Sequence, residues 1–306
     1  MDIIRLNGTP IPHDTVAAIG FFDGVHLAHG RLIKTAVDIG RKHGLATAVV
    51  TFDIHPKSIL YGLDYTYITP LDHKIELIRA YDVDVMYVIE FTKEKAAMTP
   101  EAFITTYLAN LHTIVCGFDF KFGVRGSGNV HTLAQFDSFE TIVVEEITHD
   151  GYKIGSTHIR DLIQSGLVDQ IPPVMGRYYS VRGEVVHGAK KGRMIGYPTA
   201  NIDTTSYLVP KTGVYATMTR IDDTWYPSMS SVGHNPTLNC RVDVSVESHL
   251  FDFDQDLYGK TIEILFVKRL RDEKKFDSIE GLIAEIDHDA VVSRTILQDF
   301  SDKTLA

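Results

Sequence analysis

The sequence predicts an α/β domain followed by a β domain: a doubly wound, mainly parallel sheet, then a small antiparallel barrel with a C-terminal helix. Three observations carry this reading. Apolar runs and amphipathic stretches alternate through the first half at the spacing of βα units. After "QIPPVMGR", which reads as a linker, the pattern shortens to closely spaced β runs. A length of 306 residues suits two domains, expected at 1–172 and 173–306.

In chain order, Thr15–Phe22 reads as a buried strand. Arg31–His43 places Leu32, Ile33, Ala36 and Val37 at helical spacing, and Arg41, Lys42 and Gly44 mark the end of that helix. Leu45–Phe52 is a second strand, Leu71, Ile75 and Ile78 mark a second helix, and Val83–Phe91 is a third strand. "TPEAFITTYLANL" opens with Thr99 as N-cap, Pro100 at the first helical position and Glu101 in the first turn. Its buried stripe is Phe103, Ile104, Tyr107, Leu108 and Leu111. Thr113–Gly117 and Glu140–Ile147 are further strands. In the second half the β runs are Tyr179–Val186, Gly213–Ile221, Arg241–Phe253 and Thr261–Val267, with a hairpin turn at Asp222 and Asp223. Val242, Val244 and Val246 alternate with Asp243, Ser245 and Glu247, so the two sets face opposite sides. Ser278–Leu297 reads as a closing helix.

Composition narrows the function classes. The formal net charge is −10, from 30 basic and 40 acidic residues, the wrong sign for a general nucleic-acid binder. It does not exclude anionic small molecules, which need only local positive groups. Cys116 and Cys240 are the two cysteines, so no disulfide framework is expected and a reducing compartment fits. The opening "MDIIRLNGTP" lacks the apolar core of a signal peptide, and no stretch approaches the ~18 apolar residues of a membrane span. The expectation is a cytoplasmic protein with small-molecule substrates and no membrane or nucleic-acid partner; the oligomeric state stays open.

Four segments and one further residue, Glu247, carry candidate chemistry. Ligands of doubly wound sheets bind beyond the carboxyl ends of the strands, and "GFFDGVHLAH" (Gly20–His29) stands at such an end. His26 and His29 there suit phosphate contact beside a helix N-terminus. Metal ligation is the weaker reading, since no Glu or Cys follows at ligand spacing, and exposed loop histidines are the bland one. "IGSTHIRDLI" offers Ser156 as N-cap of a helix through Gln164, with Ser156, Thr157 and Arg160 able to reach one anion; ordinary capping is the alternative. "GFDFKFGVRGSGN" (Gly117–Asn129), with Asp119, Lys121 and Arg125, suits a loop covering a nucleotide or a plain surface loop. In "VVHGAKKGRMIGYPTANI", Gly188, Gly192 and Gly196 bracket Lys190, Lys191 and Arg193, a cationic anion cradle that is not a Walker A loop. Thr199 and Asn201 present oxygens at alternate positions, suited to Mg²⁺. Glu247 is either a general base or part of a solvated strand face.

Together these segments are far more specific than any one of them. The chain resembles the bacterial bifunctional riboflavin kinase/FAD synthetase family from about Thr15 to Leu297. The matching pieces, in order, are "GFFDGVHLAH", "TFDIHP", "ITPLDHKIELI", "CGFDFKFG", "GSTHIR", "VVHGAKKGRMIGYPTANI", "LVPKTGVYA", "SVGHNPT", "VESHLFDFDQDLYGK" and "RLRDEKKF". The resemblance implies a Rossmann-like FMN adenylyltransferase domain of the nucleotidyltransferase type, then a six-stranded antiparallel barrel as riboflavin kinase. ATP and Mg²⁺ would convert riboflavin to FMN, and a second ATP would convert FMN to FAD. It implies that Gly20, Phe22, His26, His29, Ser156, Thr157 and Arg160 bind the nucleotide of adenylylation, with His26 and His29 catalytic. Gly188, Lys190 and Arg193 would bind the kinase nucleotide, and Asp119 and Arg271 the flavins. Thr199 and Asn201 of "PTAN" would hold Mg²⁺, and Glu247 would be the catalytic base. Alternatives are a variant keeping one activity, or a flavin-binding regulatory protein derived from the enzyme.

Three departures fall in the adenylyltransferase half. Ala28 stands where the family's histidine motif has glycine; if φ is positive there, alanine is strained by roughly 1–2 kcal/mol. His158 replaces the arginine of "STRIR", and Ile54 the proline of "TFDPHP". The kinase motifs are intact.

Overall fold

The first unit is organised by one fully buried strand, Thr15–Ile19 (β2), whose five residues are all shielded from solvent. The computed structural model describes residues 1–188, 191–234, 244–298 and 300. The chain divides into two compact units, Met1–Ser156 and Thr157–Ala306.

With Asp2–Leu6 (β1), Ala46–Phe52 (β3), Val85–Ile89 (β4), Thr113–Gly117 (β5) and Glu140–Val144 (β6), β2 forms a sheet of order β1-β4-β3-β2-β5-β6. Every pairing in it is parallel. Alternation along the strands sorts side chains to two faces. Ala17, Ile19, Val50 and Ile114 pack with Phe103, Ile104, Tyr107 and Leu108. Val16, Ala18, Val49 and Val115 pack with Leu32, Ile33, Ala36 and Ile78. The chain runs outward from β2 through β3 and β4, then returns to lay β5 on the other side of β2. The carboxyl ends of β2 and β5 therefore flank the switch point where such sheets bind ligands.

Several elements differ from expectation. β1 was not anticipated; only Leu6 of it is buried, so it has no amphipathic pattern. The first helix spans Leu27–His43, starting before Arg31, and ends as expected at Gly44 with φ 67°. Thr99 caps the Pro100–Phe103 helix by accepting from the Ala102 N–H, but the chain then turns into a π-helix over Ile104–Leu108. The stripe from Phe103 to Leu111 is buried all the same.

In the second unit, Tyr179–Val186 (β7), Ala200–Ile202 (β8), Gly213–Ile221 (β9), Thr224–His234 (β10), Val244–Leu250 (β11) and Thr261–Arg271 (β12) close a barrel of order β8-β11-β10-β9-β12-β7. All six pairings are antiparallel. Positions 241–243, which the sequence assigns to the β11 run, lie outside the described residues, as does Cys240. Asp222 and Asp223 make the turn between β9 and β10, with Asp222 at φ 52°. Thr217, Thr219, Ser228, Ser230 and Ser248 are buried in the barrel and hydrogen-bond one another at 2.8–2.9 Å. Such a network keeps each buried hydroxyl satisfied. The closing helix is Ile279–Leu297, capped by Ser278.

"QIPPVMGR" is not a bare linker. Ile171, Val174 and Met175 are buried, and Pro172–Met175 forms a short helix. The Ser156–Ser165 helix before it accepts a bond from the Lys211 N–H at the Ile163 carbonyl. The division into compact units falls at Ser156/Thr157. Among the described residues no helix is long and apolar enough to cross a membrane.

Candidate active sites

Beyond Ile19 the chain leaves β2 through a strained, tightly held loop. Phe22, Gly24 and Val25 have φ of 57°, 90° and 39°. For phenylalanine and β-branched valine this left-handed backbone is uncommon and costs on the order of 1–3 kcal/mol each. Such strain persists only where the surroundings enforce it, and here donors from separate segments do so. Thr51 Oγ1 and Lys74 Nζ donate to the Phe21 carbonyl at 3.0 and 2.7 Å. The Thr69 N–H donates to Asp23 Oδ1 at 3.0 Å, and Ser156 Oγ donates to the Asp23 carbonyl at 2.8 Å.

The loop delivers His26 as N-cap of the Leu27–His43 helix. Its Nδ1 accepts from the His29 N–H at 3.3 Å, so the proton of a neutral His26 ring sits on Nε2. The His26 and His29 rings stack with centroids 3.5 Å apart, and the Phe22 ring meets His29 edge-on at 5.2 Å. His26 is buried, not an exposed loop histidine. Among the described residues no group of three or more His, Cys, Asp or Glu side chains is placed to hold a metal. Gly20 lies at the mouth of β2, its N–H bonded to Val50 O.

Ala28 is helical with a negative φ, so the condition for strain there is not met. The turn at Ile54 holds without proline: Asp53 Oδ1 accepts the N–H groups of Ile54 and Phe91 at 2.7 and 2.8 Å. Ser156 is the first helical residue rather than the N-cap, and its hydroxyl goes to the loop around Asp23. Thr157, His158 and Arg160 follow on that helix, beyond the boundary between the compact units. Asp119 follows β5 on the other side of the switch point; its exposed carboxylate pairs with Lys153, whose Nζ lies 4.5 Å from the Phe118 ring centroid.

In the barrel, β8 brings "PTAN" against β11. Asn201 stands opposite Glu247 in the register, and Thr199 Oγ1 donates to Glu247 Oε2 at 3.0 Å. Asn201 is buried, and its Oδ1 has no hydrogen-bond partner among the described residues. A Cβ at Gly188 would come within 2.5–2.7 Å of the Asn201 amide, so any side chain there must displace that amide. Thr199 and Glu247 line a cavity of about 240 Å³, together with Met229, Arg271, Phe276 and Ile286. Arg193 is exposed on the short Lys191–Met194 helix, and Lys190 lies outside the described residues.

Arg271 reaches this cavity with its guanidinium already committed. Asp289 accepts from its Nε and Nη2 at 2.7–3.2 Å, and Glu285 lies 3.3 Å from Nε. Arg271 therefore ties the end of β12 to the closing helix. The segment before β8 is held by residues the sequence did not single out. His249 Nδ1 lies 2.8 Å from the Pro198 carbonyl, and the Tyr197 hydroxyl donates to Asp287, which pushes its pKa up to about 12. Thr51, Thr69 and Lys74 in the first unit are not singled out by the sequence, although Thr51 opens "TFDIHP" and Thr69 and Lys74 lie within "ITPLDHKIELI".

Comparison with known proteins matches each half separately. A family model described as FAD synthetase covers residues 9–158, and one described as riboflavin kinase covers residues 175–297. A Listeria monocytogenes protein is 40% identical over 94% of either chain. A Bacillus subtilis protein is 39% identical over 90% of either chain. One from Escherichia coli strain K12 is 30% identical over 91% of either chain. All three are called bifunctional riboflavin kinase/FMN adenylyltransferase. A solved Streptococcus pneumoniae structure, described as a macrolide-efflux protein, superposes with a TM-score of 0.87 at 33% identity. It covers 98% of this chain and 100% of that one.

Proposed function

The chain belongs to the bifunctional riboflavin kinase/FMN adenylyltransferase family, and on that premise we propose how its residues divide the two reactions. The barrel phosphorylates riboflavin to FMN, and the parallel-sheet unit adenylylates FMN to FAD with release of pyrophosphate. The readings with one activity, or with binding alone, find no support, since both family models match.

In the kinase reaction Glu247 takes the proton of the riboflavin 5′-hydroxyl as its oxygen attacks the γ-phosphate of ATP, and ADP leaves. The Thr199 hydroxyl, donating to Glu247, orients the carboxylate. The cavity beneath the closing helix takes the flavin ring among Met229, Phe276 and Ile286. Arg271, bound by Asp289 and Glu285, shapes that wall. Gly188, Lys190 and Arg193 belong to the nucleotide side. The buried Asn201 Oδ1 and the Thr199 hydroxyl are oxygens fit for a hard cation. Mg²⁺ held there with ATP would neutralise charge on the transferring phosphate.

In the adenylyltransferase reaction an FMN phosphate oxygen attacks the α-phosphorus of ATP, and the bond to pyrophosphate breaks. His29 and the Nε2–H of His26 lie beside a helix N-terminus, which suits them to stabilise the departing charge. Gly20 and Phe22 shape the loop at the carboxyl edge of β2. Ser156, Thr157 and Arg160 form the second phosphate contact, and Asp119 borders the flavin. No covalent enzyme intermediate is required. Two cysteines with no expected disulfide framework and the net charge of −10 support a cytoplasmic enzyme without a nucleic-acid partner.

The observation that carries the kinase assignment is the Thr199–Glu247 bond in the wall of the cavity. The test is one incubation with riboflavin, ATP and Mg²⁺, read by product chromatography for FMN and FAD in wild type, Glu247→Gln and His29→Ala. Loss of both products in the first variant and of FAD alone in the second is expected. FMN at the wild-type rate from Glu247→Gln would overturn the kinase assignment.

A further inference from the structure

Lys74 is a cation where the fold calls for a hydrocarbon. It lies on the Leu71–Arg79 helix, on the side that carries Leu71 and Ile78, and is 1% exposed. Lysine is almost never buried to this degree unless it is paired. Burial draws its pKa down to about 8, against the opposing pull of Asp23 and Asp53. Its Nζ donates to the Phe21 carbonyl at 2.7 Å and lies 4.2 Å from the Phe21 ring centroid.

We propose that Lys74 is a positioning residue for FMN adenylylation: with Thr51 it fixes the Phe21 carbonyl and so holds the strained Phe22–Val25 loop that delivers His26 and His29. The Phe21 carbonyl shares a peptide plane with the Phe22 nitrogen. Where that oxygen points therefore constrains φ of Phe22, the first left-handed residue of the loop. Two donors from different elements, Thr51 at the end of β3 and Lys74 on the helix, converge on this oxygen. The ring of Phe22, set by the same backbone, packs against His29. Releasing the carbonyl would relax the loop without removing any group that touches substrate.

This inference rests on the assignment of the Gly20–His29 loop to adenylylation, and the experiment separates the two. Full-length Lys74→Met, Lys74→Arg, Thr51→Val, the Lys74→Met/Thr51→Val double variant and His29→Ala are assayed for FMN→FAD and riboflavin→FMN turnover, and their melting temperatures are measured. Lys74→Met is expected to melt at or above wild type, since a buried charge is gone. Its kcat for FAD synthesis should fall about 10–100-fold with KM for FMN nearly unchanged, the pattern of lost transition-state positioning. Riboflavin phosphorylation should be unaffected. Lys74→Arg, which keeps a charged donor, should recover much of the loss. Thr51→Val should lose several-fold, and the double variant should differ from the product of the singles, because the two donors share one acceptor.

Wild-type FAD turnover in a folded Lys74→Met or in Thr51→Val overturns the proposal. So does a Lys74→Met that melts lower and loses FAD synthesis with no recovery in Lys74→Arg. If His29→Ala retains FAD synthesis, the loop assignment itself falls and this inference with it. If His29→Ala is inactive while Lys74→Met is not, only the inference falls.

Discussion

At the scale of single residues, chemistry here is decided by neighbours remote in sequence. Glu247 alone is one of three polar residues alternating with valines; the Thr199 hydroxyl at 3.0 Å and the adjoining cavity are what favour proposing it as the base. Glu247→Gln keeps the size and removes the base, so FMN formation should fall about 10²–10⁴-fold, while added FMN still becomes FAD. Ala28 illustrates the converse. Because it is helical, Ala28→Gly relieves nothing. It should cost about 0.5–1 kcal/mol in thermal unfolding and leave FAD turnover no higher than wild type. Lys74 gives a pH signature. Folding lowers its pKa from 10.5 to about 8, so between these values the unfolded chain binds more protons. Its unfavourable contribution is therefore full below pH 8 and relieved as pH rises toward 10.5. The melting temperature of Lys74→Met, relative to wild type, should show its largest gain near pH 7 and a shrinking gain by pH 10.

At the scale of elements, what was legible depended on whether the signal was local. Helix 27–43 ends where Arg41, Lys42 and Gly44 indicate, because charge and cap are read from adjacent residues. Its start was hidden, since histidine is not among the usual caps and Leu27–Gly30 carries no apolar period. β8 is three residues long, too short for alternation to register, yet it carries Asn201 to Glu247. His26, His29, Thr199, Asn201 and Glu247 stand out in the sequence as motif residues, whereas Thr51, Thr69, His249 and Asp287 do not, even where they lie inside a motif segment, because their contacts exist only across strand pairings and loops. The Gly188 segment makes this testable. A methyl group there collides with the Asn201 amide at 2.5–2.7 Å. Gly188→Ala should cut riboflavin phosphorylation at least tenfold and leave FMN adenylylation unchanged, both read in one chromatographic assay.

At the scale of the whole chain, the question is where one catalytic unit ends. Sequence reading put the break at Pro172–Pro173, because two prolines and a glycine usually mark exposed connections. Packing favours an earlier break: Ile159, Ile163, Val168, Ile171 and Val174 are fully or almost fully buried. The Lys211 N–H bonds to the Ile163 carbonyl, and a side chain at Gly166 would strike Arg269. These contacts lie within the Thr157–Ala306 unit, so a kinase fragment that omits them exposes apolar surface and orphans a backbone donor. Two fragments decide the matter. One beginning at Thr157 should fold, melt cooperatively and phosphorylate riboflavin at a rate near that of the full chain. One beginning at Met175 keeps every motif of the kinase site, so whatever activity it shows should be of the same kind. Its melting temperature should be lower by several degrees, since the loss of even one or two buried side chains costs a few kcal/mol. Equal melting temperatures for the two fragments would mean that residues 157–174 contribute nothing to the barrel, and would return the boundary to the prolines.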